Sequence, residues 1–140
     1  MKSGGGGANA ILVRGERIAD HRTLTLRHWP KRRVVHAVRL DSGVWVANLH
    51  AQVHSEARAA ADVARAARAL LGWAGGAPAV LGGDANVRQP FAPGFTHAGG
   101  HGVDHVLARG MRARGTARVP ERGGLSDHAP VLVELAREAT

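Results

Sequence analysis

The 140-residue chain contains no cysteine, so disulfides and thiolate metal sites are excluded from the start. It contains no apolar stretch near the about 20 residues that a membrane-spanning helix needs. The opening "MKSGGGGANAILVRGE" has one lysine and then glycines, without the apolar run of a secretory signal. A cytoplasmic protein with no membrane partner is the resulting expectation. Acidic residues are also scarce, 11 against 19 lysines and arginines, for a formal charge of +8. The basic residues are almost all arginine, whose planar fork can give two parallel hydrogen bonds to a phosphate. That balance favours anionic partners, nucleic acid among them. An arginine-rich codon usage would produce the same total, so charge alone does not choose a function.

The hydrophobic fraction of 44% suits a globular chain, and this length is enough for one domain with a core. Residues 1–7 read as a flexible glycine-rich leader. No lysine or helix start follows those glycines, as a phosphate-binding P-loop would need. From residue 8 to 140 the chain reads as one domain without repeats. Apolar runs at 10–13, 23–26, 34–40 and 44–50 read as strands, the last two joined by the turn "DSG" as a hairpin. Ser55 is placed to cap an amphipathic helix. Ala60, Val63, Ala67, Leu70 and Leu71 share its apolar face, Arg58, Asp62, Arg65 and Arg68 lie off it, and Gly72 ends it. Further strands are expected at 79–81, 103–107, 111–119 and 131–135, with 88–102 as a loop. Hairpins, a helix and more strands imply a mixed-sheet α/β domain.

Polar residues gather at the ends of these runs. They are Asn48 and His50 in "ANLH", Asp84 and Asn86 in "GGDAN", Asp104 and His105 in "GVDHV", and Ser126, Asp127 and His128 in "LSDHAPV". Rigid strands with polar tips can hold several side chains in one place. One such cluster is ordinary turn or surface chemistry; four in one chain suit a single reaction. Hydrolysis of a phosphate ester needs carboxylates for a metal, a group to orient water, and donors or cations on the developing charge. Two metal readings fit less well. "HAQVH" has zinc-like spacing but lacks the glutamate of H-E-x-x-H, and the glycines among His97, His101 and His105 oppose a shared helical face. An EF-hand starting at Asp84 fails because Arg88 occupies a ligand position.

The ordered set "NLH", "GDAN", "VDHV" and "SDHAPV" resembles the endonuclease/exonuclease/phosphatase superfamily, whose fold is shared with pancreatic deoxyribonuclease. "ANAILVRG", "RTLTLRH" and "RVVHAVRL" are similar to the strands leading to its N-x-H motif. The resemblance implies the C-terminal part of a four-layer α/β sandwich, with mixed β-sheets flanked by helices. It implies a phosphoesterase dependent on Mg²⁺ or Mn²⁺, nuclease-like in its complete form. By the same resemblance His50 contacts the scissile phosphate, Asp84 orients or deprotonates the attacking water, and Asn86 binds a phosphate oxygen. Asp127 is the metal residue, His128 stabilises transition-state charge, and Asp104 holds His128. Gly82 and Gly83 are expected to let the phosphate approach closely. Nucleic acid is the first substrate class, with small phosphodiesters and phosphomonoesters next.

The family's first half also supplies an asparagine and a metal-binding glutamate. Here the only glutamate before His50 is Glu16, in an apparent loop, and Asn9 belongs to "ANAILV". An incomplete domain, weak hydrolysis by this chain and an exposed apolar sheet face are the expectations that follow. The alternative is an inactive fragment or basic anion-binding module of the same fold.

Overall fold

The computed structural model describes residues 8–139; the leader at 1–7 lies outside them. Its centre is a six-stranded sheet of order β1-β2-β3-β4-β6-β5. The strands are β1 (Ile18–Arg27), β2 (Arg33–Leu40), β3 (Trp45–His50), β4 (Ala79–Asp84), β5 (Thr96–His101) and β6 (Asp104–Arg109). Only β3 and β4 pair in parallel; the other neighbours are antiparallel. The crossover between β3 and β4 is the helix α1 (Glu56–Ala74), as a parallel pair requires a long connection. A second, two-stranded sheet joins β7 (Met111–Ala113) to β8 (Leu135–Arg137).

Strand alternation sends Val35, Ala37, Trp45, Ala47, Leu49, Ala79, Leu81 and Leu107 to one side of the main sheet. There they pack on Ala59, Val63, Ala66, Ala67, Leu70 and Ala74 of α1, and this is the core. On the opposite face Val34, Val46, Val80 and Val106 are half-buried, so that face is neither sealed nor fully open. Ala117 and Val133, from the segments around the small sheet, lie against Gly99 there.

The helix departs from its sequence reading in two ways. Ser55 does cap it, accepting the Arg58 backbone N–H, but the helix runs through Gly72 and stops at Gly75, where φ is +57°. A glycine inside a helix costs only about 1 kcal/mol, and the packing of Trp73 and Ala74 on the core outweighs it. Ala60 faces solvent, whereas Asp62 is 1% exposed. The Asp62 carboxylate accepts from Arg27 Nε at 3.0 Å and from the Gln52 backbone N–H at 3.0 Å. It thereby ties α1 to β1 and to the segment that leaves β3. Asp62→Ala is expected to destabilise the protein by about 3 kcal/mol, because a half-buried guanidinium and a buried N–H lose their partner. Urea denaturation tests this; a loss below about 1 kcal/mol would mean that water replaces the carboxylate.

Other expected elements changed where long-range pairing decided. Residues 10–13 form no strand; the chain is tied down instead by Asn9 Nδ2, which donates to Val34 O at 2.8 Å, and by Ala10 O, which accepts from Asn48. Part of the expected loop at 88–102 is the edge strand β5, since Gly100 lets the chain lie close to Asp104 and His105 of β6 and Gly99 leaves room for Ala117 and Val133. Of 111–119 only β7 is regular, and Leu132 in the expected last strand makes a single bridge to Arg118.

Candidate active site

The register brings the motifs together. His50 at the end of β3 pairs with Asp84 at the end of β4, and Asp84 pairs with Asp104 at the start of β6. Directly opposed residues point to the same side, so three of the polar tips stand in one row on the face away from α1. His128 arrives from the loop before β8 and completes the group. Its Nδ1 lies 2.6 Å from Asp104 Oδ2, and its Nε2 lies 3.9 Å from Asp84 Oδ2. His50 Nε2 is 3.5 Å from the same Asp84 oxygen. Asp84 therefore sits between two imidazoles.

The two histidines are shifted in opposite directions. The hydrogen bond to Asp104 holds His128 above the ordinary imidazole value of 6.5 despite some burial, with the Asp104, Asp84 and Asp127 charges adding to it. The ring thus keeps its proton to higher pH than an ordinary imidazole, and its Nδ1–H donates to Asp104. Burial pushes His50 below 6.5, with the Arg33 charge next in effect, so His50 is neutral at pH 7. Arg33 is itself 6% exposed and lowered by burial against the charges of Asp62 and Asp84. It is a site-flanking cation that the strand pattern does not single out.

Asn86 occupies the left-handed region at φ +49°, which asparagine tolerates well. Its N–H donates to Asp84 Oδ1 at 2.9 Å and its Nδ2 to Ala51 O at 2.8 Å. It locks the ends of β3 and β4 together beside the carboxylate. Ser126 Oγ accepts the His128 N–H at 3.0 Å and so fixes the loop that presents the ring. Asp127 is exposed on the wall of an open cleft of about 420 Å³ that it shares with His101, Asp104, Arg122 and His128. The Arg122 guanidinium donates to the Asp127 carbonyl.

Among the described residues, Asp84, Asp104 and His128 offer ligand atoms within 4.8 Å of one another. This set differs from the Asp127 expected from the sequence. Two of its members, Asp84 and Asp104, carry the charge that a hard divalent cation seeks.

Several singled-out residues lie elsewhere. His105 is buried on the α1 side of the sheet, because it neighbours Asp104 and must point the other way. Its Nε2 faces Val87 O and its Nδ1 meets His97 Nε2, both at 2.9 Å. A carbonyl only accepts, so Nε2 of His105 carries the proton and His97 donates to Nδ1. Glu16 accepts the Ser42 N–H at the β2–β3 turn, at the end of the sheet away from His50, so it takes no part in the site. Gly83 also has another purpose than phosphate access. At φ +134° an added Cβ would collide with Leu49 O and approach Asn48 Oδ1 to 2.9 Å, whereas one at Gly82 would meet only His105 O at 3.6 Å. Gly83 is thus required by the close packing of β4 on β3, and only Gly82 leaves room on the site face.

The model of the endonuclease/exonuclease/phosphatase family matches residues 2–128. The chain belongs to this family. Solved family structures share its fold. An endonuclease/exonuclease/phosphatase from Bacteroides vulgatus superposes with a TM-score of 0.71 at 18% identity, covering 88% of this chain and 67% of its own. A mannosyl-6-phosphatase from Bacteroides thetaiotaomicron gives 0.68 at 17% identity, covering 86% and 67%. Truncated TDP2 from Caenorhabditis elegans gives 0.61 at 16%, covering 83% and 64%. The chain thus spans about two thirds of the length of each. No curated protein matches it in sequence. The chain has the phosphoesterase hydrolase fold of its family, and no helix among the described residues is long and apolar enough to cross a membrane.

Proposed function

We propose that this protein is a divalent-metal-dependent phosphoesterase that hydrolyses phosphodiesters. The observation that carries the reading is the placing of His50 and His128 on either side of Asp84, both within 3.9 Å of one carboxylate oxygen. The donor set fits Mg²⁺ or Mn²⁺, which bind through one or two carboxylates and keep several waters. Asp84 and Asp104 would hold the ion, with Asp127 on the wall of the cleft that Asp104 shares. When bound, the metal supplies a Lewis acid for a phosphoryl oxygen.

The chain's own groups then divide the work. His50 donates an uncharged N–H to the phosphate. The Asp84 carboxylate, held by Asn86, orients the attacking water and can receive its proton. His128⁺, kept charged by Asp104, faces the charge that develops on the phosphoryl oxygens. The direct test has two readouts. Mn²⁺ should broaden the His50 and His128 ring resonances, and Mg²⁺ should support hydrolysis of bis(p-nitrophenyl) phosphate. The rate is expected to be low, because the metal-capable set contains no glutamate. One observation favours the competing reading of an anion-binding module without catalysis: an oxygen of Asp104 is already committed to His128 at 2.6 Å. Phosphate binding without selective Mn²⁺ broadening or hydrolysis would establish that reading.

The pH dependence follows from the two imidazoles. His50, lowered below 6.5, offers a donor N–H whether or not it is protonated, so hydrolysis should change with His128, falling as that ring loses its proton above 6.5. Asp104→Asn removes the main cause of the raised His128 value. In metal-free protein the His128 ring, followed by NMR, should therefore titrate at lower pH in Asp104→Asn. An unmoved titration would assign the raised value to another group.

A further inference from the structure

The hairpin tip at 28–32 stands at the same end of the sheet as the site. Arg27 pairs with Arg33 across its base, and two residues along β2 Val35 pairs with Leu49, the neighbour of His50. His28, Trp29, Pro30, Lys31 and Arg32 are all exposed. Trp29 is 72% exposed in a chain with three tryptophans, whereas Trp45 is 4% exposed and Trp73 packs on the core. Hydrophobic packing therefore does not explain its place. One face of its ring is taken by Arg58, from the first turn of α1, whose guanidinium carbon is 5.4 Å from the ring centroid. That cation–π contact orients the indole and places a positive charge behind it. The tip itself carries Lys31 and Arg32 and no acid, and the nearby Asp62 is buried and spent on Arg27. The Lys31 charge reaches His50, whose proton affinity it helps to lower.

We propose that this tip is a docking platform for single-stranded nucleic acid, with Trp29 stacking on a base and Lys31 and Arg32 contacting the phosphates beside it. An aromatic ring flanked by cations is the pattern that tracks a single strand without reading its sequence. A duplex keeps its base faces stacked away and would meet only the cations. The strand would run from the tip toward His50 and Asp84, so as a substrate-binding element the platform rests on the phosphoesterase reading.

The test is fluorescence anisotropy with a labelled ten-nucleotide dT strand, in EDTA so that nothing is cleaved. W29A should weaken binding by about tenfold or more, and W29F should retain most of it. The quenching of intrinsic tryptophan fluorescence by the strand should vanish in W29A. The double variant K31A/R32A should reduce the salt slope by about 1.4, at about 0.7 per phosphate contact, while W29A leaves that slope unchanged. Circular dichroism of each variant checks the fold. Binding of W29A within twofold of the unaltered protein would overturn the proposal, as would equal dependence of duplex binding on Trp29. An acidic peptide whose binding needs Trp29 when dT binding does not would assign the tip to a protein partner instead. The two readings fail separately. Trp29-dependent dT binding without any phosphodiester hydrolysis would leave the platform standing and sink the enzyme. Hydrolysis of the nitrophenyl diester with Trp29-independent dT binding would do the reverse.

Discussion

Asp84→Asn is expected to lower magnesium-dependent hydrolysis of bis(p-nitrophenyl) phosphate by about 10³-fold while leaving the protein folded. The substitution is nearly isosteric. Its amide oxygen can still accept the Asn86 N–H, now at 2.9 Å from Asp84 Oδ1, so the link between β3 and β4 survives. What disappears is a charge used in three directions. The carboxylate faces His50 and His128, helps to raise His128, and belongs to the metal-capable set. Losing a general base costs about 10²–10⁴-fold, and losing a metal ligand would lower the fraction of loaded protein as well. Titrating Mg²⁺ separates the two. A metal-site defect is recovered in part at higher Mg²⁺, whereas a defect in water activation is not. Hydrolysis within a few-fold of the unaltered protein would mean that the reaction, if present, is centred elsewhere.

Gly83→Ala should be the most damaging glycine-to-alanine change among the described residues. A side chain there is strained by the positive φ and would also collide with the Leu49 carbonyl, a backbone atom that cannot swing away. Together these should cost about 2–5 kcal/mol, a large part of the total stability of a small domain. The strain lies one residue before Asp84, so any folded fraction should also show a displaced carboxylate and slower hydrolysis. Gly82→Ala is the control. Its added carbon would meet one backbone oxygen at an ordinary 3.6 Å, and its loss should stay within about 1 kcal/mol. Urea midpoints compare the pair. Equal midpoints would show that β4 can shift against β3 and that Gly83 is not obligatory.

The amino-acid sequence by itself determined which residues could form the site and in what order the strands deliver them. His50, Asp84, Asn86, Asp104 and His128 stand where apolar runs begin or end, a local property written in adjacent residues. The capped helix after Ser55 was legible for the same reason, as was membership of the family, since short motifs in fixed order survive where overall identity falls to 14–18%. Only the tertiary structure decided which side of the sheet each residue serves. Asp104 and His105 are adjacent and equally polar, yet one reaches the site and the other is buried with His97 on the far face. Alternation fixes that they part company, but the register of β6 against β4 fixes which goes where, and register is set by pairing between residues 20 or more apart. The same non-local logic made β5 out of an apparent loop and buried Asp62 on a helix face read as polar. It also brought ligand atoms of Asp84, Asp104 and His128 together into a metal-capable set, where the sequence reading named Asp127. A lone residue declares its chemistry in sequence; its direction and its partners exist only once distant strands have paired.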